Sequence, residues 1–211
     1  MRYGWRSLLV YLTMIGAVFA GAPAFAAGKL IWAFGDSLTA GYGLPPSQGF
    51  TPRLQAALNK AGIAVTVRNG GIAGDTAAQG RARLLWGLRG LGARPDLVMV
   101  ELGANDMLRG LPVAQARMNL NLILSELSRR RLPVLLVGMK APPNLGADYR
   151  RPFDAMYPAL ARRYSLPLYP FFLDGVAGNR ALIQADGLHP NPRGVDIIVQ
   201  RILPAVRRAL R

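Results

Sequence analysis

Ser37 stands in Phe34-Gly35-Asp36-Ser37-Leu38-Thr39, directly after the apolar run Leu30-Ile31-Trp32-Ala33-Phe34. A run of this kind reads as a buried strand. A Gly-Asp-Ser turn at its end puts a hydroxyl at the carboxyl edge of a sheet, where open α/β folds bind ligands. A serine hydroxyl is a weak nucleophile until a neighbouring base takes its proton. The chain has one histidine, His189, and no cysteine. Imidazole is the usual base near neutral pH, so a serine nucleophile has a single candidate partner here. Asp186, three residues before His189, would orient the imidazole and stabilise the imidazolium. Taken alone, Gly-Asp-Ser is common turn chemistry, and His189 before Pro190 is an ordinary turn histidine. The question is whether the rest of the chain brings these residues together.

The elements that must position them alternate along the sequence. Leu30 to Phe34 reads as the first strand, followed across a Gly/Pro-rich connection by a helix near 51–61. A second strand, 64–67, ends at Asn69-Gly70-Gly71, and a helix spans about 76–88. The third strand is Asp96 to Leu102. Pro112 opens a long helix to about Arg131, where a missing N–H is harmless, with Val113, Ala116, Leu120, Ile123, Leu124 and Leu127 on one face. The fourth strand is 133–138. Residues 141–149 read as loop, 149–164 as helix and 166–172 as a fifth strand bounded by prolines. The last helix starts near Arg193, and Pro204 should kink or shorten it. Strands alternating with helices predict one α/β domain, a parallel sheet covered on both faces. Ser37, Gly74 and Asn105 follow strands one, two and three, and Asp186 and His189 precede the final helix. Strand ends of a parallel sheet lie side by side, so these residues converge on one edge.

At these positions the sequence resembles the GDSL or SGNH family of serine hydrolases. The four blocks that carry the resemblance occur in family order as Gly35-Asp36-Ser37-Leu38, Gly74, Gly103-Ala104-Asn105-Asp106 and Asp186-Gly187-Leu188-His189. The similarity covers essentially the whole chain after residue 26. It extends to Ala141-Pro142-Pro143-Asn144 and Pro170-Phe171-Phe172, features of the small bacterial thioesterase, lysophospholipase and arylesterase branch.

The resemblance implies a flavodoxin-like three-layer α/β/α sandwich on a five-stranded parallel sheet. It also implies hydrolysis of carboxylic esters or thioesters (aryl esters, acyl thioesters, lysophospholipids) through an acyl-enzyme, with no cofactor. The oxyanion donors it implies are the Ser37 and Gly74 backbone N–H groups and the Asn105 side-chain amide. Met107, Leu108 and Leu111, in the apolar loop after Asn105, would contact the acyl chain or pack beneath the next helix. Ala104 stands where relatives often have a second glycine, adding a methyl near the site. The wider family also removes acetyl groups from polysaccharide, an alternative activity. From another class, a non-catalytic protein could use this fold to bind anionic glycans or lipid.

Composition bounds these readings. Arg2 and Arg6, the apolar stretch 8–20 and Ala24-Phe25-Ala26 have the layout of a cleavable secretory signal. Cleavage after Ala26 would leave a single domain, residues 27–211, in the periplasm or the medium. A retained membrane anchor is the rival, which Gly21 and Pro23 oppose. The formal charge of +15 becomes +13 when Arg2 and Arg6 leave. Such a surface reads first as a solubilising one on an exported protein, with weak attraction to anionic membrane as a secondary consequence, and no nucleic-acid module is present. One histidine among scattered carboxylates offers no metal-ligand spacing. Asp36, Asp75 and Asp106 read as turn and cap residues bonding local amides. The expected partner is a small acyl ester or thioester substrate, and the chain is expected to be a monomer.

Overall fold

The computed structural model describes residues 28–211, so the expected signal segment lies outside the described residues. Five strands, β1 (Lys29–Gly35), β2 (Val65–Gly71), β3 (Leu97–Glu101), β4 (Val134–Val137) and β5 (Leu168–Tyr169), form one parallel sheet in the order β2-β1-β3-β4-β5. This is the doubly wound, flavodoxin-like order. The chain leaves β1 toward β2 on one side and later returns to add β3 on the other. The ends of β1 and β3 therefore border the switch point, where the connections diverge and open a crevice.

Seven helices occur among the described residues: α1 (Ser37–Ala40), α2 (Phe50–Lys60), α3 (Ala77–Gly90), α4 (Ala104–Leu108), α5 (Val113–Arg129), α6 (Ala147–Arg163) and α7 (Pro192–Ala209). α2 packs on α7, while α3, α5 and α6 pack in series, completing the expected three layers. The expected face of α5 is the buried one: Ala116, Leu120, Ile123, Leu124 and Leu127 meet a sheet whose β3 is buried at every position. Each large aliphatic side chain so buried contributes about 1.5–3 kcal/mol.

The differences from expectation have local causes. β5 is two residues long, not seven, because Pro167 and Pro170 cannot donate to the ladder. α6 begins at Ala147, inside the expected loop, and accommodates Pro152 and Pro158. α7 is not shortened at Pro204 but continues to Ala209, since buried Val195, Ile198, Val199, Ile202 and Val206 pin both halves to the core. α1 and α4 span four and five residues, too short for a helical period to show. No described helix is long and apolar enough to cross a membrane.

Candidate active site

Ser37 is the first residue of α1, where β1 ends. Asp36 caps this turn, its Oδ1 accepting the Leu38 N–H at 3.0 Å. An amide in the first turn of a helix has no intrahelical acceptor, so the Ser37 N–H is free to face the crevice.

His189 reaches Ser37 from the loop before α7, with Nε2 2.9 Å from Ser37 Oγ and Nδ1 2.6 Å from Asp186 Oδ2. The loop is held from several sides. Asp186 Oδ1 accepts the N–H groups of Leu188 (2.9 Å) and His189 (3.0 Å). The Gln184 N–H donates to the His189 carbonyl at 2.7 Å. Gln184 Nε2 bridges the Tyr42 and Pro190 carbonyls, and the Tyr42 ring lies 4.7 Å from the imidazole. Asn191 then caps α7. The two amides on Asp186, helped by the imidazole, hold its carboxyl down at about 2. A carboxylate on Nδ1 fixes that proton there and leaves Nε2 as acceptor for the serine hydroxyl.

Gly74 and Asn105 border the same crevice. Gly74 has φ +85°, a left-handed conformation that glycine adopts without strain. Its N–H has no acceptor among the described residues, and its carbonyl accepts Arg109 Nη2 at 2.7 Å. Asn105 lies in the first turn of α4, and its Nδ2 donates to Asp36 Oδ2 (3.1 Å) and the Asp75 carbonyl (3.0 Å).

The crevice has a volume of about 550 Å³ and an apolar wall that includes Met107, Leu108, Met139 and Leu173. All five expected site residues line it, as does Ala104. Met107 is buried and Leu108 half exposed. Leu111 does not line the crevice. The chain turns at Gly110, returns the Leu111 N–H to the Asp106 carbonyl and presents the Leu111 carbonyl to Tyr149.

Two further expectations are corrected. Asp106 accepts the N–H of Ala77, joining α4 to the start of α3, and so is no local cap. Burial pushes its carboxyl up. Asp75 pairs with Arg83, whose guanidinium also donates to the Gly35 carbonyl and covers the Phe34 ring. Three crevice residues went unread in the sequence. Met139 and Leu173 follow the last two strands, where the strand-end rule points, and Tyr42 is set between Gly41 and Gly43. No group of three or more His, Asp or Glu among the described residues is placed to hold a metal ion.

Residues 33–197 match the model of the GDSL-like lipase/acylhydrolase family. The chain is 38% identical over 185 residues to esterase TesA of Pseudomonas aeruginosa, covering 88% of this chain and 91% of that protein. It is 36% identical over 185 residues to thioesterase 1/protease 1/lysophospholipase L1 of Escherichia coli, covering 86% of each. The crystal structure of AlinE4, an SGNH-hydrolase family esterase, superposes with a TM-score of 0.76 at 48% identity, covering 89% of this chain and all of that one.

Proposed function

The chain belongs to the GDSL-like lipase/acylhydrolase family of ester-hydrolysing serine hydrolases, and we propose that it cleaves acyl esters and thioesters through an acyl-enzyme on Ser37. The observation that carries this reading is the unbroken relay from Ser37 Oγ through His189 to Asp186, with contacts of 2.9 and 2.6 Å. Ser37 Oγ attacks the acyl carbon as His189 Nε2 takes its proton, and Asp186 stabilises the imidazolium. The tetrahedral oxyanion is met by the Ser37 and Gly74 N–H groups and the Asn105 amide. Collapse expels the alcohol or thiol, which takes the proton from Nε2. Water then repeats the sequence on the acyl-enzyme, activated by the same imidazole.

In the resting site Asn105 Nδ2 already has two acceptors. Donating to an oxyanion therefore means loosening one of them as charge develops, an interaction stronger in the transition state than in the ground state. Asn105→Ala should lower kcat by about 10²–10³ with KM little changed. Steady-state kinetics with a soluble aryl ester checks this; a wild-type kcat would remove Asn105 from the oxyanion site.

The apolar wall supports an acyl chain in the crevice and disfavours the polysaccharide deacetylase reading, which calls for polar side chains along a sugar. The names of the relatives, esterase and thioesterase/lysophospholipase, point the same way. A panel of aryl esters, acyl-CoAs and lysophospholipids at several chain lengths tests the substrate class. Turnover should rise as the chain fills the wall. A preference for acetylated xylan over every acyl ester would favour the deacetylase instead.

Export, and weak attachment of a monomer to anionic membrane, belong to the same reading. They are supported by the signal-like start and the formal charge of +15. A secreted product beginning at Ala27 is the expected outcome of N-terminal sequencing; one beginning at Met1 would count against cleavage.

A further inference from the structure

Among the buried acids that the hydrolytic relay leaves unused, Asp36 and Glu101 lie beneath it at 0% and 2% exposure. Glu101 ends β3, and its Oε2 accepts the Thr39 hydroxyl at 2.8 Å and the Asp36 N–H at 3.4 Å. Its Oε1 is buried with no partner of its own. Gly35 leaves room for this contact: a Cβ there would lie 2.1 Å from Thr39 Oγ1 and 2.7 Å from Glu101 Oε2. Asp36 links Glu101 to the reacting groups, one oxygen capping the Ser37 turn and the other accepting from Asn105.

The two acids meet through the Asp36 N–H, since the Asp36 oxygens are taken by the Leu38 N–H and the Asn105 amide. Burial pushes both carboxyl groups upward, and the charge of Asp36 raises Glu101 further. The charged and titratable groups around the pair are His189 and Asp75 on the Asp36 side, with Arg83 paired to Asp75, and Tyr157 of α6 and Asp106 of α4 behind.

Resting on the roles assigned above to Ser37 and Asn105, we propose that Glu101 is a positioning residue of the hydrolytic site. Its carboxyl ties the Ser37 turn to the end of β3 by accepting from the Thr39 hydroxyl and the Asp36 N–H, and so places the Asp36 side chain against Asn105. Nucleophile and oxyanion amide, carried on different strands, thereby keep one spacing. Glu101 does not line the crevice, so substrate binding should be insensitive to it while the rate of acyl transfer is not.

The test compares Glu101→Gln with Glu101→Leu. Glutamine keeps a side-chain oxygen that can accept from the Thr39 hydroxyl and the Asp36 N–H; leucine keeps the bulk and accepts nothing. For a short-chain aryl ester, Glu101→Gln should retain kcat close to wild type. Glu101→Leu should lose about 10²-fold in kcat at unchanged KM, the scale of a small misplacement of reacting groups. Phosphonate labelling of Ser37 should slow in step, and melting curves confirm that each variant is folded. A folded Glu101→Leu enzyme with wild-type kcat would overturn the proposal, and so would Glu101→Gln as impaired as Glu101→Leu. If Glu101→Leu does not fold, Thr39→Val decides, since it removes only the hydroxyl on Glu101: lowered kcat at unchanged KM supports the proposal, wild-type kcat overturns it. Ser37→Ala is assayed alongside. Should it stay active, the acyl-enzyme reading fails; should it be inactive while Glu101→Leu is not, the positioning role alone fails.

Discussion

Ser37→Ala should lower kcat for ester hydrolysis by about 10⁶, the largest loss expected of any single substitution here. The reason is chemical rather than structural. Ser37 Oγ is the only hydroxyl within reach of His189 Nε2, at 2.9 Å among the described residues. The chain contains no cysteine and no second histidine to assemble an alternative. Alanine fits the first position of α1 without disturbing the Asp36 cap, which uses the Leu38 N–H. KM and melting behaviour should therefore stay close to wild type. The loss should also stop short of the uncatalysed rate, because oxyanion donors and binding alone leave about 10³–10⁴ of acceleration. A fluorophosphonate probe gives a second readout: one adduct on wild type, none on Ser37→Ala. Persisting turnover in the variant would mean that water is activated directly and that no acyl-enzyme forms.

The residues on which that expectation rests were legible in the sequence because each carries a strong local signal. A Gly-Asp-Ser turn after an apolar run, a glycine after the next strand and an asparagine after the third lie at strand ends, and parallel topology alone brings strand ends together. His189 was fixed by being single. Of the two places expected for Leu111, at the acyl chain or beneath the next helix, the crevice is not the one it takes, because proximity in sequence to Asn105 does not survive the turn at Gly110, where φ is +62°. Glu101 was illegible for the opposite reason. Its partners Asp36 and Thr39 are 65 and 62 positions away and meet it only across the β1/β3 pair. The same holds for Asp106 and Ala77, 29 apart, and for Asp75 with Arg83, whose guanidinium crosses to the end of β1. That α7 is not shortened at Pro204 reflects tertiary burial on both sides of it, which a local proline signal does not report.

Asp186→Asn should cost about 10³–10⁴ in kcat, second to Ser37→Ala, and the cause is the wrong tautomer. Asp186 divides its work between two oxygens. Oδ1 holds the loop through the Leu188 and His189 amides, and Oδ2 takes the proton on His189 Nδ1. An asparagine oxygen can keep the first role, which preserves the loop. The amide NH₂ must then face Nδ1, which can accept from it only by giving up its own proton. The imidazole proton moves to Nε2, where it points at Ser37 and no longer accepts from it. At neutral pH the variant should stay folded with a modestly lowered melting temperature, and its acid response should change. The Asp186 carboxyl is held at about 2 against an ordinary 3.8, chiefly by the two amides. A lowered value means stability fully present above about pH 4 and lost as pH falls through 2, since the unfolded chain takes up the proton first. The side chain is 36% exposed, so solvent screens part of this contribution. Melting curves of wild type and Asp186→Asn should therefore draw together between pH 4 and 2, while activity at neutral pH stays far apart. Loss of activity with a collapsed melting temperature at pH 7 would instead assign Asp186 to the loop alone. Activity within tenfold of wild type would show that His189 keeps its orientation from Tyr42 and Gln184 without the carboxylate.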